Sequence, residues 1–140
     1  MTAHRISVSL AVLCLSTVAA FAAGSTTLYR GSTWIKKRAK VTGTYEIVER
    51  DGSRFIRLFD DFQTKEGPDL KLVLSPLTPE NATSKTALDG ALIIHELKSH
   101  KGAQEFEIPE GTEFSKYKSL LIHCEKYSKL WGATRLEKAT

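Results

Sequence analysis

From Val41 onward, apolar and polar residues alternate with a period close to two, and the interruptions are short and rich in turn residues. A period of two puts successive side chains on opposite faces of an extended chain, so the pattern predicts strands. We predict about seven strands, over residues 43–48, 54–58, 70–75, 91–97, 103–108, 119–125 and 132–136. Asp51-Gly52 supplies the positive φ values of a tight hairpin between the first two.

Two prolines and one polar segment separate these strands. Pro76 and Pro109 lack the backbone donor that a strand ladder requires, so they end the third and fifth strands. Residues 77–89 are rich in Pro, Thr, Ser and Asn and predict a surface loop, in which Asn81 begins a glycosylation sequon. Seven short strands joined by turns predict an all-β fold, a single small β-sandwich or barrel-like domain.

Residues 1–23 have a different pattern. A basic start at Arg5 precedes an uncharged, mostly apolar run that ends in Ala20-Phe21-Ala22. This is the organisation of a cleaved secretory signal peptide, with cleavage after Ala22 or Ala23. We therefore expect an exported protein, periplasmic or secreted, without a stable membrane span after cleavage. An uncleaved anchor is the alternative, but the alanine-rich end favours cleavage.

We predict that residues 24–40 form a basic arm and that the domain itself spans residues 41–140. The densest positive charge is the segment Lys36-Lys37-Arg38 with Lys40. We interpret it as a solvated arm, with contact to an anionic lipid or polymer as the functional alternative. The whole chain has a net charge of only +4 and carries no nucleic-acid motif, so nucleic acid is not an expected partner. We expect a monomer.

Removal of the signal takes away Met1 and Cys14 and leaves Cys124 as the only cysteine. One cysteine cannot form the Cys-x-x-Cys-His motif of attached c-type haem, nor an intramolecular disulfide. Structural zinc usually needs four closely spaced Cys or His ligands, which are also absent. Haem or copper bound through a Cys124 thiolate stays open. Cys124 is either a reactive thiol or a buried apolar residue.

The mature chain has three histidines, His95, His100 and His123. Successive side chains of a strand point to opposite faces, so His123 and Cys124 are not expected to share a site unless a β-bulge intervenes. His95 and His123 are candidate cofactor ligands, with a surface position as the alternative. No Ser-His-Asp set, nucleophile elbow or phosphate-binding glycine loop is visible. We therefore expect a redox or binding domain rather than a hydrolase or transferase.

Acidic residues surround one predicted turn. Asp60-Asp61 precedes Gly67-Pro68-Asp69, and carboxylates near a turn can offer oxygen ligands to calcium. The spacing matches no calcium-binding loop, however, so we expect Asp69 to fix the turn.

Four segments, taken in order, resemble the DM-thirteen domain. They are Phe59–Phe62 with Gly67–Leu70, Leu97–Lys98 with Gly102–Pro109, Tyr117–Cys124, and Trp131–Ala133 with Leu136. The resemblance covers residues from about Val41 to Leu136. It implies an all-β extracytoplasmic domain for which electron transfer is proposed, and which lies beside a DOMON domain in some larger proteins.

The resemblance also implies roles for particular residues. The proposed redox centre of the family falls on Cys124, and a redox partner protein is the expected partner. An aromatic residue is common in the family where His123 stands. Residues of the motifs with expected structural roles are Gly67, Pro68, Asp69, Gly102, Pro109, Trp131 and Gly132. The alternative function is a non-catalytic extracytoplasmic binding or adhesion module in which Cys124 only packs the core.

Overall fold

A computed structural model describes residues 24–140 of this chain, so the predicted signal peptide and Cys14 lie outside the described residues. Within this range the chain forms eleven strands and one 3-10 turn, Phe114–Lys116. The strands are β1 Thr26–Gly31, β2 Trp34–Lys36, β3 Val41–Thr42, β4 Tyr45–Arg50, β5 Ser53–Leu58, β6 Gln63–Thr64, β7 Leu70–Ser75, β8 Leu92–Glu96, β9 Gln104–Ile108, β10 Ser119–Cys124 and β11 Lys129–Arg135. Between residues 24 and 140, no helix has the length and apolar character needed to cross a membrane.

The strands form two large antiparallel sheets and one small one. The first sheet has the order β1-β4-β5-β9, the second has the order β2-β11-β10-β7-β8, and β3 pairs with β6. The seven predicted strands correspond to β4, β5 and β7 to β11. The structure therefore confirms the all-β, sandwich-like fold, and it adds four strands that the apolar pattern did not predict, namely β1 and the short strands β2, β3 and β6.

The structure differs from the predicted basic arm over residues 24–40. Strand β1 pairs with β4 in the first sheet, and β2 pairs with β11 in the second. Trp34 on β2 is half-buried and donates its indole N–H to the carbonyl of Gly43 at 2.9 Å. This segment belongs to both sheets because Leu28, Tyr29 and Trp34 pack against the core. The prediction of an arm was based on the positive charge at the end of this segment, at Lys36, Lys37, Arg38 and Lys40.

The main core lies between the two large sheets. Its fully buried side chains include Ile47 and Ile56 of the first sheet and Leu72 and Ile122 of the second. A smaller cluster covers the outer face of the second sheet, where residues of the loop 77–89 contact the strands. Its buried members are Val73, Ala82, Ala87, Leu121, Leu130 and Ala133. The predicted surface loop therefore also shields one sheet face, while Asn81 stays exposed.

Tyr45 joins the first sheet to the end of β11. The side chain is fully buried, and its hydroxyl donates to the carbonyl of Arg135 at 2.6 Å. The same oxygen accepts the backbone N–H of Glu137 at 3.3 Å. Burial raises the pKa of Tyr45 to about 12, because the phenolate would be cut off from water.

This pKa predicts a pH-dependent contribution to stability. The unfolded phenol ionises near its ordinary pKa of 10.0, below the pKa of the folded state, so the contribution is complete below pH 10 and lost as pH rises towards 12. Tyr45→Phe should destabilise the fold by about 1–2 kcal/mol at neutral pH. As the pH is raised from about 8 to about 11.5, the free energy of unfolding measured in urea should fall less for Tyr45→Phe than for the wild type. Tyr127→Phe, at an exposed position, is the control. If the free energy of unfolding fell equally at alkaline pH in the wild type, Tyr45→Phe and Tyr127→Phe, the prediction would be contradicted.

Candidate functional site

Cys124 is the last residue of β10 and is the only cysteine between residues 24 and 140. Its side chain is fully buried on the face of β10 that carries Leu120 and Ile122, which is the face towards the main core. The sulfur lies 3.0 Å from the carbonyl oxygen of Pro68. A carbonyl oxygen can only accept, so the thiol donates and keeps its proton in this arrangement.

The segment Lys65–Asp69, which we call the cysteine turn, closes over the thiol. Three long-range hydrogen bonds hold it against β10 and β11. They are Trp131 Nε1 to the Lys65 carbonyl at 3.0 Å, Cys124 Sγ to the Pro68 carbonyl at 3.0 Å, and Glu125 N to the Asp69 carbonyl at 3.0 Å. Pro68 itself is exposed. The residue that accepts the thiol hydrogen bond therefore itself borders solvent.

Trp131 is positioned by a β-bulge in β11. Ile122 is opposite Gly132 and His123 is opposite Leu130, which leaves Trp131 as the extra residue. The indole packs directly on the cysteine turn, because a Cβ atom at Gly67 would lie 2.9 Å from Trp131 Cζ2. Only glycine allows this close approach without moving the ring.

An ion-pair network anchors the end of the cysteine turn. Asp69 has a φ of 57°, in the left-handed region, and its carboxylate lies 2.8 Å from Lys71 Nζ. Lys71 Nζ also lies 3.5 Å from a carboxylate oxygen of Glu125 and 4.0 Å from one of Glu96. The pKa of Lys71 is raised, mainly by the hydrogen bond to Asp69. Lys71 thus ties the turn to β8 and to the residue that follows β10.

His123 lies on the opposite face of β10 from Cys124. Although β11 carries a bulge, β10 pairs with β7 in an unbroken register, so the alternation of side chains continues. His123 is only 2% exposed and borders a pocket of about 380 Å³ with Ser84 and Lys85 of the loop 77–89. Its Nδ1 atom is buried without a hydrogen-bond partner. Burial lowers the pKa of His123, and the charge of Glu125 opposes this shift in part.

The other two histidines have contacts of their own. His95 is exposed, its Nδ1 lies 2.7 Å from the carbonyl oxygen of Glu96, and its ring is 5.5 Å from that of Phe106. His100 accepts the backbone N–H of Thr64 through its carbonyl at 2.8 Å.

These positions do not fit a haem or copper centre that uses Cys124 as a ligand. The thiol donates a hydrogen bond to the Pro68 carbonyl, and the His123 side chain lies on the opposite face of the sheet. In the part of the chain that the structure describes, no group of three or more His, Cys, Asp or Glu residues could hold a metal ion. We therefore derive no chemistry through a bound metal.

The remaining motif residues lie in other parts of the fold. Gly102 has a φ of 90° and donates its N–H to the Phe62 carbonyl at 2.9 Å. Pro109 follows β9, and its carbonyl accepts from the hydroxyl of Thr112 at 2.6 Å. Gly132 packs against Val41, whose Cγ2 atom would be 2.5 Å from a Cβ added there. The structure thus gathers Gly67, Pro68, Asp69 and Trp131 around Cys124 and leaves Gly102 and Pro109 in separate turns.

Sequence reasoning did not single out two residues of this site. Lys71 is a lysine between Leu70 and Leu72 in an otherwise buried strand, and that contrast was an available signal. Lys65 gave no signal, because it takes part through its backbone carbonyl and its partner is Trp131, 66 residues away.

Comparisons with known proteins identify a family for this chain. No curated protein and no solved structure matches the chain. The family described as electron transfer DM13 matches residues 34–136, which extend from the start of β2 to one residue beyond β11 and include the cysteine turn, Cys124 and Trp131. This match confirms the resemblance found in the sequence and covers most of the chain. The chain therefore belongs to the DM13 family of electron-transfer domains.

Proposed function

We propose that this DM13 domain transfers electrons in an extracytoplasmic compartment and that Cys124 is its redox-active residue. The observation that carries the proposal is that Pro68 accepts the hydrogen bond of the thiol and Trp131 holds the turn that contains Pro68, both residues lying within the family match. The family description supports electron transfer, and the predicted signal peptide supports export. A lone thiol in an oxidising compartment also needs protection, which the cysteine turn provides.

The chemistry begins with opening of the cysteine turn. Thiolates, not thiols, are the nucleophiles of disulfide exchange, so Sγ must leave the Pro68 carbonyl and lose its proton. The Cys124 thiolate then attacks a disulfide of the partner protein. A new S–S bond joins Cys124 to one partner sulfur, and the other partner sulfur leaves as a thiolate and takes up a proton. The Cys124 sulfur is oxidised and the partner disulfide is reduced. A thiolate of an electron-donating protein then attacks the partner sulfur. A new disulfide joins these two sulfurs, so the donor sulfur is oxidised, and Cys124 leaves as a thiolate that takes up a proton.

The outer side of the cysteine turn offers a place for such a partner to bind. A pocket of about 180 Å³ lies against the turn, bordered by Glu66, Gly67, Asp69, Glu96, Lys98 and His100. It contains charged side chains of both signs, and Lys71 links two of its carboxylates. A partner that displaces these contacts would act directly on the segment that covers the sulfur.

A second candidate function is a binding or adhesion module. The observation that favours it is the complete burial of Cys124 together with its hydrogen bond to Pro68. Buried cysteines behave as small apolar residues and are inert when they stay buried. The two functions therefore differ in whether the cysteine turn opens in the folded protein.

The decisive experiment measures native thiol exchange in a Cys14→Ser background, in which Cys124 is the only thiol whether or not the signal is removed. We expect an aromatic disulfide reagent to react with folded protein, slowly and at a rate limited by turn opening. Cys124→Ser should keep a donor to the Pro68 carbonyl, lose about 1–2 kcal/mol of stability and lose all exchange. Ser119→Ala is the matched control, since it removes a buried hydroxyl bond of 2.7 Å from the same strand.

Two results would contradict the proposed redox role. Exchange that occurs only after the domain has unfolded would leave the binding module as the better function. A visible absorption band with bound metal, in protein purified from its native compartment, would replace the free thiol with a thiolate ligand. Retention of exchange by Ser119→Ala and its loss in Cys124→Ser would support the proposal.

A further inference from the structure

A second candidate site lies apart from the thiol. A groove of about 530 Å³ runs between the end of β2, the segment that follows it, and the small β3–β6 sheet. We call it the basic groove and define it by four cationic residues, Lys36, Arg38, Lys40 and Lys65. The polar side chains of Thr42, Gln63 and Thr64 complete its lining with the small side chain of Ala39.

The backbone of the basic groove is fixed by hydrogen bonds to the body of the domain. Arg38 N donates to the Leu130 carbonyl at 3.1 Å, and Ala39 N donates to the Trp131 carbonyl at 3.0 Å. On the opposite wall, the hydroxyl of Thr64 donates to the Lys40 carbonyl at 3.2 Å. The cationic residues are therefore held on neighbouring segments before any ligand binds, which reduces the entropy lost on binding.

The charges of the basic groove are not compensated within the described part of the chain. All four cationic side chains are exposed, none has a carboxylate oxygen within ion-pair distance, and no acidic residue lines the groove. Among the described residues, four of the five other arginines have a carboxylate partner, as in Arg30 with Glu46 and Arg135 with Glu80. Four like charges in one groove repel each other and create a positive potential that attracts anions.

We propose that the basic groove binds a linear polymer of phosphate groups. A single phosphate carries about two negative charges, so several are needed to neutralise four cations. The side-chain amide of Gln63 can donate to phosphate oxygens. No aromatic side chain lines the groove, so it lacks the stacking surface that single-stranded nucleic acids use. These features favour a chain of phosphates without attached rings.

This binding site does not depend on the redox role of Cys124. The two sites meet at two residues. Lys65 begins the cysteine turn and its side chain lines the groove, and Trp131 holds the Lys65 carbonyl through its indole and the groove segment through its own carbonyl. The thiol does not line the groove. Cys124→Ser should therefore bind the polymer as the wild type does, so failure of either proposal is distinguishable from failure of the other.

The experiment uses short-chain inorganic polyphosphate as the probe and protein expressed from the full chain. A variant with Lys36, Arg38, Lys40 and Lys65 all replaced by Gln should bind about a hundredfold more weakly at low salt, because each removed cation weakens the attraction. The matched control replaces the exposed residues Lys85, Lys118, Lys126 and Lys129 by Gln and so has the same net charge. We expect it to lose less than about threefold. The salt dependence of affinity should also be shallower for the groove variant alone.

Further arms of the same experiment define the ligand. Orthophosphate should bind far more weakly than polyphosphate, and heparin and single-stranded DNA should bind more weakly at equal charge. The proposal is overturned if wild-type protein does not bind polyphosphate, or if the control variant loses as much affinity as the groove variant. It is also overturned if orthophosphate, heparin or DNA binds as tightly as polyphosphate. Urea unfolding of both variants verifies that each is folded.

Discussion

Replacing Gly43 with alanine should destabilise the domain by about 4 kcal/mol or more, near the upper end for a point substitution. Gly43 has a φ of 111°, which L residues with a side chain rarely adopt. An added Cβ atom would lie 2.4 Å from Phe62 Cα, 2.6 Å from Phe62 N and 2.7 Å from the carbonyl oxygen of Asp61. All three are backbone atoms, so no side-chain rotation can relieve the clash.

The position also has structural connections that a displaced backbone would break. The Gly43 carbonyl accepts the indole N–H of Trp34, and the next residue, Thr44, donates both its N–H and its hydroxyl to the Asp61 carboxylate at 2.8 Å. These hydrogen bonds lower the pKa of Asp61, the backbone N–H being the largest cause. Gly43→Ala therefore strains the contact between β2, β4 and the segment before β6.

The matched control for this prediction is Gly52→Ala. Gly52 also has a positive φ, 79°, but a Cβ atom there would meet nothing within 4 Å. It should lose only about 1 kcal/mol, the cost of the backbone conformation alone. Urea unfolding of both variants measures the difference. Similar losses would show that the close approach of Phe62 is not what requires glycine at position 43.

Trp131→Ala should have the second large effect, a loss of about 3–5 kcal/mol that follows from removing a buried indole. The side chain is 7% exposed, packs on Gly67 and donates to the Lys65 carbonyl. Its removal also frees one end of the cysteine turn. We therefore expect the Cys124 thiol to react with a disulfide reagent faster than the lost stability alone explains.

Trp34→Ala separates these two effects. Trp34 is also a tryptophan in contact with the core, and its indole N–H donates to a carbonyl, that of Gly43, at 2.9 Å. This hydrogen bond of Trp34 does not involve the cysteine turn. Thiol labelling of both variants, compared at matched free energies of unfolding, should be faster for Trp131→Ala. The same labelling rate in both would mean that Trp131 does not hold the turn closed.

The sequence predicted the strands whose residues alternate, and the reason is local. In β7, Leu70, Leu72 and Leu74 face the main core and the first two are separated by Lys71, so the period of two is visible. Strand β10 is buried on both faces, and its short run of apolar residues indicates a strand instead. Strands β3 and β6 have two residues each and are too short to show a period. Strands β1 and β2 owe their position to pairing with β4 and β11, which no local pattern shows.

The candidate site was predicted less completely, because its contacts are long-range. Strand geometry alone predicted that His123 and Cys124 face opposite sides, and the regular pairing of β10 with β7 places them so. The position of Pro68 over Cys124 joins residues 56 positions apart, which spacing cannot reveal. Here the resemblance to a family identified the residues, and the structure supplied the hydrogen bonds between them.

The burial of Cys124 beneath the cysteine turn has a kinetic consequence under the proposed function. The sulfur reacts only in molecules whose cysteine turn is open. The rate of reaction with any freely diffusing oxidant is therefore the rate of the open form multiplied by the open fraction. A partner docked beside Pro68 meets the same open fraction but at a much higher effective concentration. Residence time at the surface, rather than intrinsic reactivity, would then decide which molecules exchange electrons with this domain.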